Sequence, residues 1–191
     1  MYKMTMAMTV LTSVWAGLSK RWWLLLCLLS SAVMAGQEAR EQFLSEAFGE
    51  SVPPVSVLWL SSDKREELTR RFDYSIAQLR LRYWKLGERT AWLLDEVGKE
   101  RPISFGLVVD QQQLQLVDVL AYRESRGGEI QQPAYRRQFI GARLTDAPSQ
   151  TSDLDRRIDG ITGATLSVRA MQKVAKVALY LHQLALNDAE Q

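Results

Sequence analysis

Cysteine and histidine are almost absent from this chain. Cys27 and His182 are the only residues of their kinds among 191. Cys27 lies in an N-terminal apolar segment, so the body beyond it has no thiol. That excludes disulfides, thiolate nucleophiles and cysteine-ligated metal sites there. The sequence also lacks a long basic run, an internal repeat, zinc-ligand spacing and a dinucleotide fingerprint. Three of the 24 basic side chains, Lys3, Lys20 and Arg21, fall in the first 35 residues with no acid beside them, leaving 21 basic against 22 acidic beyond. A near-neutral body offers no electrostatic footprint for a phosphate backbone, so no nucleic-acid partner is expected. What remains, with 47% hydrophobic and 24% charged residues, is the composition of a folded protein of one domain's length.

Lys20-Arg21 precedes an apolar run, Trp22 to Leu29, and a small-residue exit around Val33 and Ala35. This has the charge, apolar core and cleavage-site pattern of a secretory signal, and the run is shorter than the roughly 20 residues of a spanning helix. Residues 1–35 are therefore read as a signal peptide, with a retained signal anchor as the alternative. A periplasmic location, or one on the outer face of the cytoplasmic membrane, is expected. Leu26 stands before Cys27 where a lipoprotein signal requires a small residue.

Beyond the leader, residues 36–78 read as an N-terminal helical and strand extension. A helix is expected over 37–48, stopped by Gly49. A strand follows over 55–60, and then a helix from Ser62 to about Phe72 with Asp63 and Glu66 as a capping box. Residues 79–191 read as the main domain. Strands are expected near 79–83, 91–94, 103–109 and 114–120, separated by Gly87-Glu88, Gly98-Lys99 and Asp110 to Gln113. Their close spacing implies an antiparallel meander. A Gly127-Gly128 loop, a short helix over 133–140 opened by Pro133 and a surface loop over 145–157 come next. Val168, Met171, Val174, Ala178, Leu181 and Ala185 mark one stripe of a helix from about 166 to 186. The fold class is thus α+β, with four to five antiparallel strands packed with helices and a long C-terminal helix.

The run Asp159-Gly160-Ile161-Thr162-Gly163-Ala164-Thr165-Leu166-Ser167 stands just before that helix. Two glycines allow left-handed backbone and close approach to a ligand, and a helix N-terminus favours a phosphate. The plainer reading is a turn whose helix is capped by Thr162 or Thr165. It explains the helix, but not an acid, two hydroxyls, Gly and Ala in fixed register.

Residues 159–165 resemble the recognition sequence of the bacterial flavin transferase, and the chain over about 80–186 resembles the FMN-binding domain. That domain also occurs in the C subunit of the sodium-pumping NADH:quinone oxidoreductase and the G subunit of the Rnf complex. The resemblance implies FMN esterified through its phosphate to Thr165 by a Mg²⁺-dependent flavin transferase. Asp159, Thr162, Gly163, Ala164 and Leu166 would be its recognition and binding context. Family members often carry a Glu-Thr-Pro-Gly loop at the flavin; Glu124-Ser125-Arg126-Gly127 stands there without the proline, making Glu124 and Ser125 candidate contacts.

The resemblance implies an exported electron-transfer flavoprotein relaying electrons to or from a membrane redox protein. A flavin performs that chemistry by itself, so no catalytic residue of the chain is expected. A flavin-dependent periplasmic reductase and a non-redox exported adaptor are the alternatives. His182, on the C-terminal helix, is read as a packed or surface imidazole; Arg123, Arg126, Arg136 and Arg137, near the loop, are read as ordinary solvated arginines, with stabilisation of a reduced anionic flavin as the alternative.

Overall fold

The computed structural model describes residues 36–145 and 152–188. The chain divides into two compact units, residues 1–39 and residues 40–191. The export signal expected over residues 1–35 lies outside the described residues, and residues 36–39 of the first unit are helical. Among the described residues no helix is long and apolar enough to cross a membrane.

Short apolar runs, buried on both faces in β3 and β4, lay out the second unit's five-stranded antiparallel sheet, in the order β1 (Val55–Trp59), β2 (Arg80–Leu86), β3 (Arg89–Val97), β4 (Pro102–Asp110) and β5 (Gln113–Ala121). The expected meander supplies β2 to β5. The β4–β5 turn places Gln111 and Gln112 at φ 50° and 60°, the left-handed pair that a tight hairpin needs. The edge strand β1 joins β2 through α2 (Ser62–Phe72). That helix is capped by Ser61, whose Oγ accepts from Lys64 N at 3.3 Å. Asp63, expected as the cap, instead sits inside the first turn, where its negative charge suits the helix dipole.

Each sheet face has its own core. A helix over residues 36–48, α1, contributes Phe43, Leu44 and Ala47 of the second unit, which pack on Trp84, Ala91 and Val108. Gly106 permits this approach, since a Cβ there would meet the Phe43 ring at 2.7 Å. The opposite face receives α4 (Thr165–Asn187). All six stripe residues expected on it are buried, and so are Tyr180 and His182 on its flanks. The second side of α4 is covered by α2, with Phe72 and Tyr180 rings 5.4 Å apart. Leu58, Leu60, Leu68 and Phe72 from residues 40–78 belong to this main core.

Two expectations are corrected. The short helix is α3 (Pro133–Arg136), continued as a 3-10 turn over Arg137–Phe139 and ending at extended Ile140. The stretch 145–157 is not wholly a surface loop. β6 (Leu144–Thr145) pairs with β7 (Asp153–Leu154), Leu154 is buried, and the buried Ser152 accepts from Arg71. Residues 146–151 lie outside the described residues.

His182 is fully buried, as a packed imidazole would be. Its Nδ1 lies 2.8 Å from Thr90 Oγ1, which also accepts from Trp92 Nε1 at 2.9 Å. Burial pushes its pKa down from 6.5 to about 4. The folded state therefore holds His182 neutral while the unfolded chain protonates it, so stability is full above about pH 6.5 and falls as the pH drops toward 4. The loss amounts to roughly 3 kcal/mol at the acid end. Urea midpoints at pH 7.0, 5.5 and 4.5 should fall in the wild type and lose most of that slope in His182→Gln; equal slopes in both would contradict this role.

Candidate functional site

α4 begins without a side-chain cap. Its N-cap is Ala164, at φ −126° and ψ 26°, and the first turn holds no acid. Neither Thr162 nor Thr165 supplies a cap oxygen, as the plain capped-turn reading required. Thr165 is the first helical residue and is exposed, and Leu166 beside it is 44% exposed. Val168 N is bonded to Ala164 O at 3.1 Å, leaving the amides of residues 165–167 without intrahelical acceptors. Partial positive charge thus faces outward at Thr165. Of the two glycines expected to use left-handed backbone, only Gly163 does, at φ +79°; Gly160 keeps an ordinary φ.

The loop after β5 is held against this turn by two small residues. Gly127 has φ +90°, and a Cβ on it would lie 2.6 Å from Ala164 Cβ and 2.9 Å from Tyr122 Oη. The alanine of the motif is therefore also a packing requirement. Tyr122 Oη donates to the Arg126 carbonyl and lies 3.2 Å from Ser167 Oγ. Its single proton is committed, so Ser167 donates to it. On the other side, Glu124 Oε1 accepts from the amides of Lys99, Glu100 and Arg101 at 2.7, 2.7 and 3.0 Å. The amides of Arg101 and Glu100, with that of Lys99, hold its carboxyl below the usual range. Gly98 makes room, since a Cβ there would meet Glu124 Oε1 at 2.8 Å.

These contacts leave a cleft of about 490 Å³ between Lys99, Glu124, Ser125 and Arg126 on one side and Gly163 to Ser167 on the other. An adjoining cleft of about 610 Å³, sharing Ser125, Arg126 and Gly163, extends past Thr162 to Gly128, Glu129 and Gln132. Six of the residues named from sequence, Glu124, Ser125, Gly163, Ala164, Thr165 and Leu166, meet in the first cleft, and Thr162 lines the second.

Asp159 lines neither. Its backbone is held by α3 and the turn after it: Tyr135 Oη donates to its carbonyl at 2.8 Å, and its amide donates to Gln138 Oε1 at 2.9 Å. Burial and the nearby Asp159 charge push the Tyr135 phenol up to about 12. Arg126 does reach the clefts, whereas Arg136 is paired with Asp118 and Arg123 donates to Pro102 O at 3.4 Å. Tyr122 had no sequence signal for the site, and Lys99 and Gly127 were read only as turn and loop residues, because only the folded register of β3, β4 and β5 brings them to the motif.

The glycines can be ranked by what a side chain would meet. Gly127→Ala should cost about 2 kcal/mol or more, since left-handed strain adds to the collision with Ala164. Gly163→Ala, strained but in open space, should cost about 1 kcal/mol. Gly160→Ala, with open space and ordinary φ, should cost under about 0.5 kcal/mol. Chemical denaturation of the three variants checks this order, and a Gly160 variant as damaging as Gly127 would refute it.

The cleft suits a small cofactor: its volume lies in the usual range for such sites, free amides and the side chains of Lys99 and Arg126 can meet an anion, and exposed Leu166 offers an apolar wall. A protein-family model described as an FMN-binding domain matches residues 98–180, beginning just after β3 and ending within α4. No curated protein matches the chain. The matched segment contains both walls of the cleft and the whole 159–167 run, so the similarity to an FMN-binding domain takes in the candidate site as a unit.

Proposed function

We propose that the chain is an exported electron-transfer flavoprotein that carries FMN through a phosphoester at Thr165 and relays electrons to or from a membrane redox partner. The observation that carries this reading is the state of Thr165: an exposed hydroxyl on the first residue of an uncapped helix, inside a matched FMN-binding domain and on the wall of its cleft. Its Oγ1 is accessible to the flavin transferase, whose Mg²⁺ would assist transfer from FAD. In that transfer Thr165 Oγ1 would take the FMN-side phosphorus, the P–O bond to AMP breaking as the Oγ1–P bond forms and the hydroxyl proton being lost. The free first-turn amides of α4 would hold the resulting phosphodiester.

Asp159 fits a role in the attaching step. Its carboxylate makes no hydrogen bond or ion pair among the described residues, while its backbone is fixed by Tyr135 and Gln138. A carboxylate fixed in this way is available to the transferase or its metal. Once attached, the flavin supplies one- or two-electron transfer by its own chemistry. The chain's part would be to hold it: Leu166 and the 124–126 loop line the cleft that would take the ring, and Lys99 and Arg126 would favour its reduced, negatively charged form. His182, buried in the core with Thr90, takes no part.

Coexpression of the exported chain with a flavin transferase tests the assignment. The wild type should be yellow and show in-gel flavin fluorescence after denaturation, Thr165→Ser should retain some label, and Thr165→Val should be colourless. An unlabelled wild type under conditions that label a known acceptor, or a fluorescent Thr165→Val, would overturn it.

A further inference from the structure

The sheet face that carries α1 is only partly covered. Register places Val55 opposite Trp84, Val57 opposite Arg82 and Trp59 opposite Arg80, so these six side chains share that face. α1 closes over Trp84, but Val55, Val57 and Trp59 stay 51%, 45% and 61% exposed. Arg80 lies over the Trp59 ring at 5.4 Å, and Arg82 is exposed beside it. Single exposed apolar residues are ordinary. Three successive outward positions of one edge strand, one of them a tryptophan, are not.

The composition selects the occupant. Valines beside a tryptophan, flanked by arginines and with no acid on β1 or β2 of this face, match the headgroup region of an anionic bilayer. Aliphatic arginine stems and the indole can sit at that depth while the guanidinium groups meet lipid phosphates. Chain connectivity points the same way. The second unit begins at Arg40, whose guanidinium lies over Trp84 at 4.9 Å, and Trp84 is the cross-strand neighbour of Val55. In the signal-anchor alternative the sequence that joins there keeps the apolar run Trp22 to Leu29 preceded by Lys20-Arg21, a segment that engages a membrane. Trp59 also lies at the end of the sheet where the β3–β4 turn and the loop after β5 project to the cleft, since antiparallel alternation brings the close of β1, β3 and β5 to one end.

We propose that the face formed by Val55, Val57, Trp59, Arg80 and Arg82 rests on the surface of an anionic bilayer, leaving the cleft, on the α4 side of the sheet, open to a redox partner. The consequence for electron transfer rests on the flavin reading above. The lipid contact does not, and it is tested without flavin.

The full-length chain with Cys27→Ser, carrying a single environment-sensitive fluorophore at Val57→Cys or, on the far hairpin, at Gln112→Cys, is mixed with vesicles containing doxyl-labelled lipid. Both positions lie outside the core. On phosphatidylglycerol-containing vesicles the probe at position 57 should shift to the blue and be quenched at least twofold, while the probe at position 112 should change little. Arg80→Glu with Arg82→Glu should abolish the response at 57. Phosphatidylcholine vesicles alone should give a weaker response. A probe at 57 that stays water-exposed on vesicles holding the protein, or equal quenching at 57 and 112, overturns the proposal; the first result would reassign the patch to a protein partner. Loss of covalent flavin would bear on Thr165 alone.

Discussion

The seat of α4 across β3 and β4 is the constraint on which the rest depends. The helix is buried along nearly its full length, with Met171, Val174, Ala175, Ala178 and Leu181 at or near zero exposure. A helix so enclosed cannot slide or rotate without opening cavities that cost several kcal/mol. Its first turn is thereby fixed in space, and with it the direction of Thr165. The β3–β4 turn and the loop after β5 are carried to the same place by the sheet. The cleft is therefore a product of core packing and does not depend on a flexible loop folding over a ligand.

Local choices at that first turn favour a ligand over the helix's own stability. An alanine cap forgoes about 1 kcal/mol relative to serine or aspartate, and an acid in the first turn is also missing. The same alanine allows Gly127 to close in, so the substitution that would best cap the helix would displace the opposite wall. Glu124, whose oxygen is occupied by three amides, serves as a brace between that wall and the Lys99 turn. This leaves Lys99 and Arg126 as the cleft's positive charges.

Most of the framework could be read from periodicity. β2 alternates, β3 and β4 read as apolar runs because both of their faces are covered, and the stripe from Val168 to Ala185 has the helical period of a helix buried on one side. Local competition was harder to read. Ser61 and Asp63 both suit a cap, and Gly160 and Gly163 both permit a left-handed turn; which one is used depends on where the chain must go next. β6 and β7 are two residues each, too short to leave a pattern. At the site, the motif was legible since its residues are contiguous. The parts of Tyr122, Gly127 and Lys99 were not, since Tyr122 meets Ser167, Gly127 meets Ala164 and Lys99 meets Glu124, each 25 or more residues away.

The central claim is that Thr165 Oγ1 carries the flavin phosphate. Peptide mass spectrometry of the protein, purified after coexpression with a flavin transferase in the same compartment, tests it most directly. The account predicts a peptide spanning residues 158–169 heavier by the mass of FMN less one water, with fragment ions assigning the increment to Thr165. An unmodified peptide in a protein that has met an active transferase, or an increment localised to Thr162 or Ser167, would contradict it.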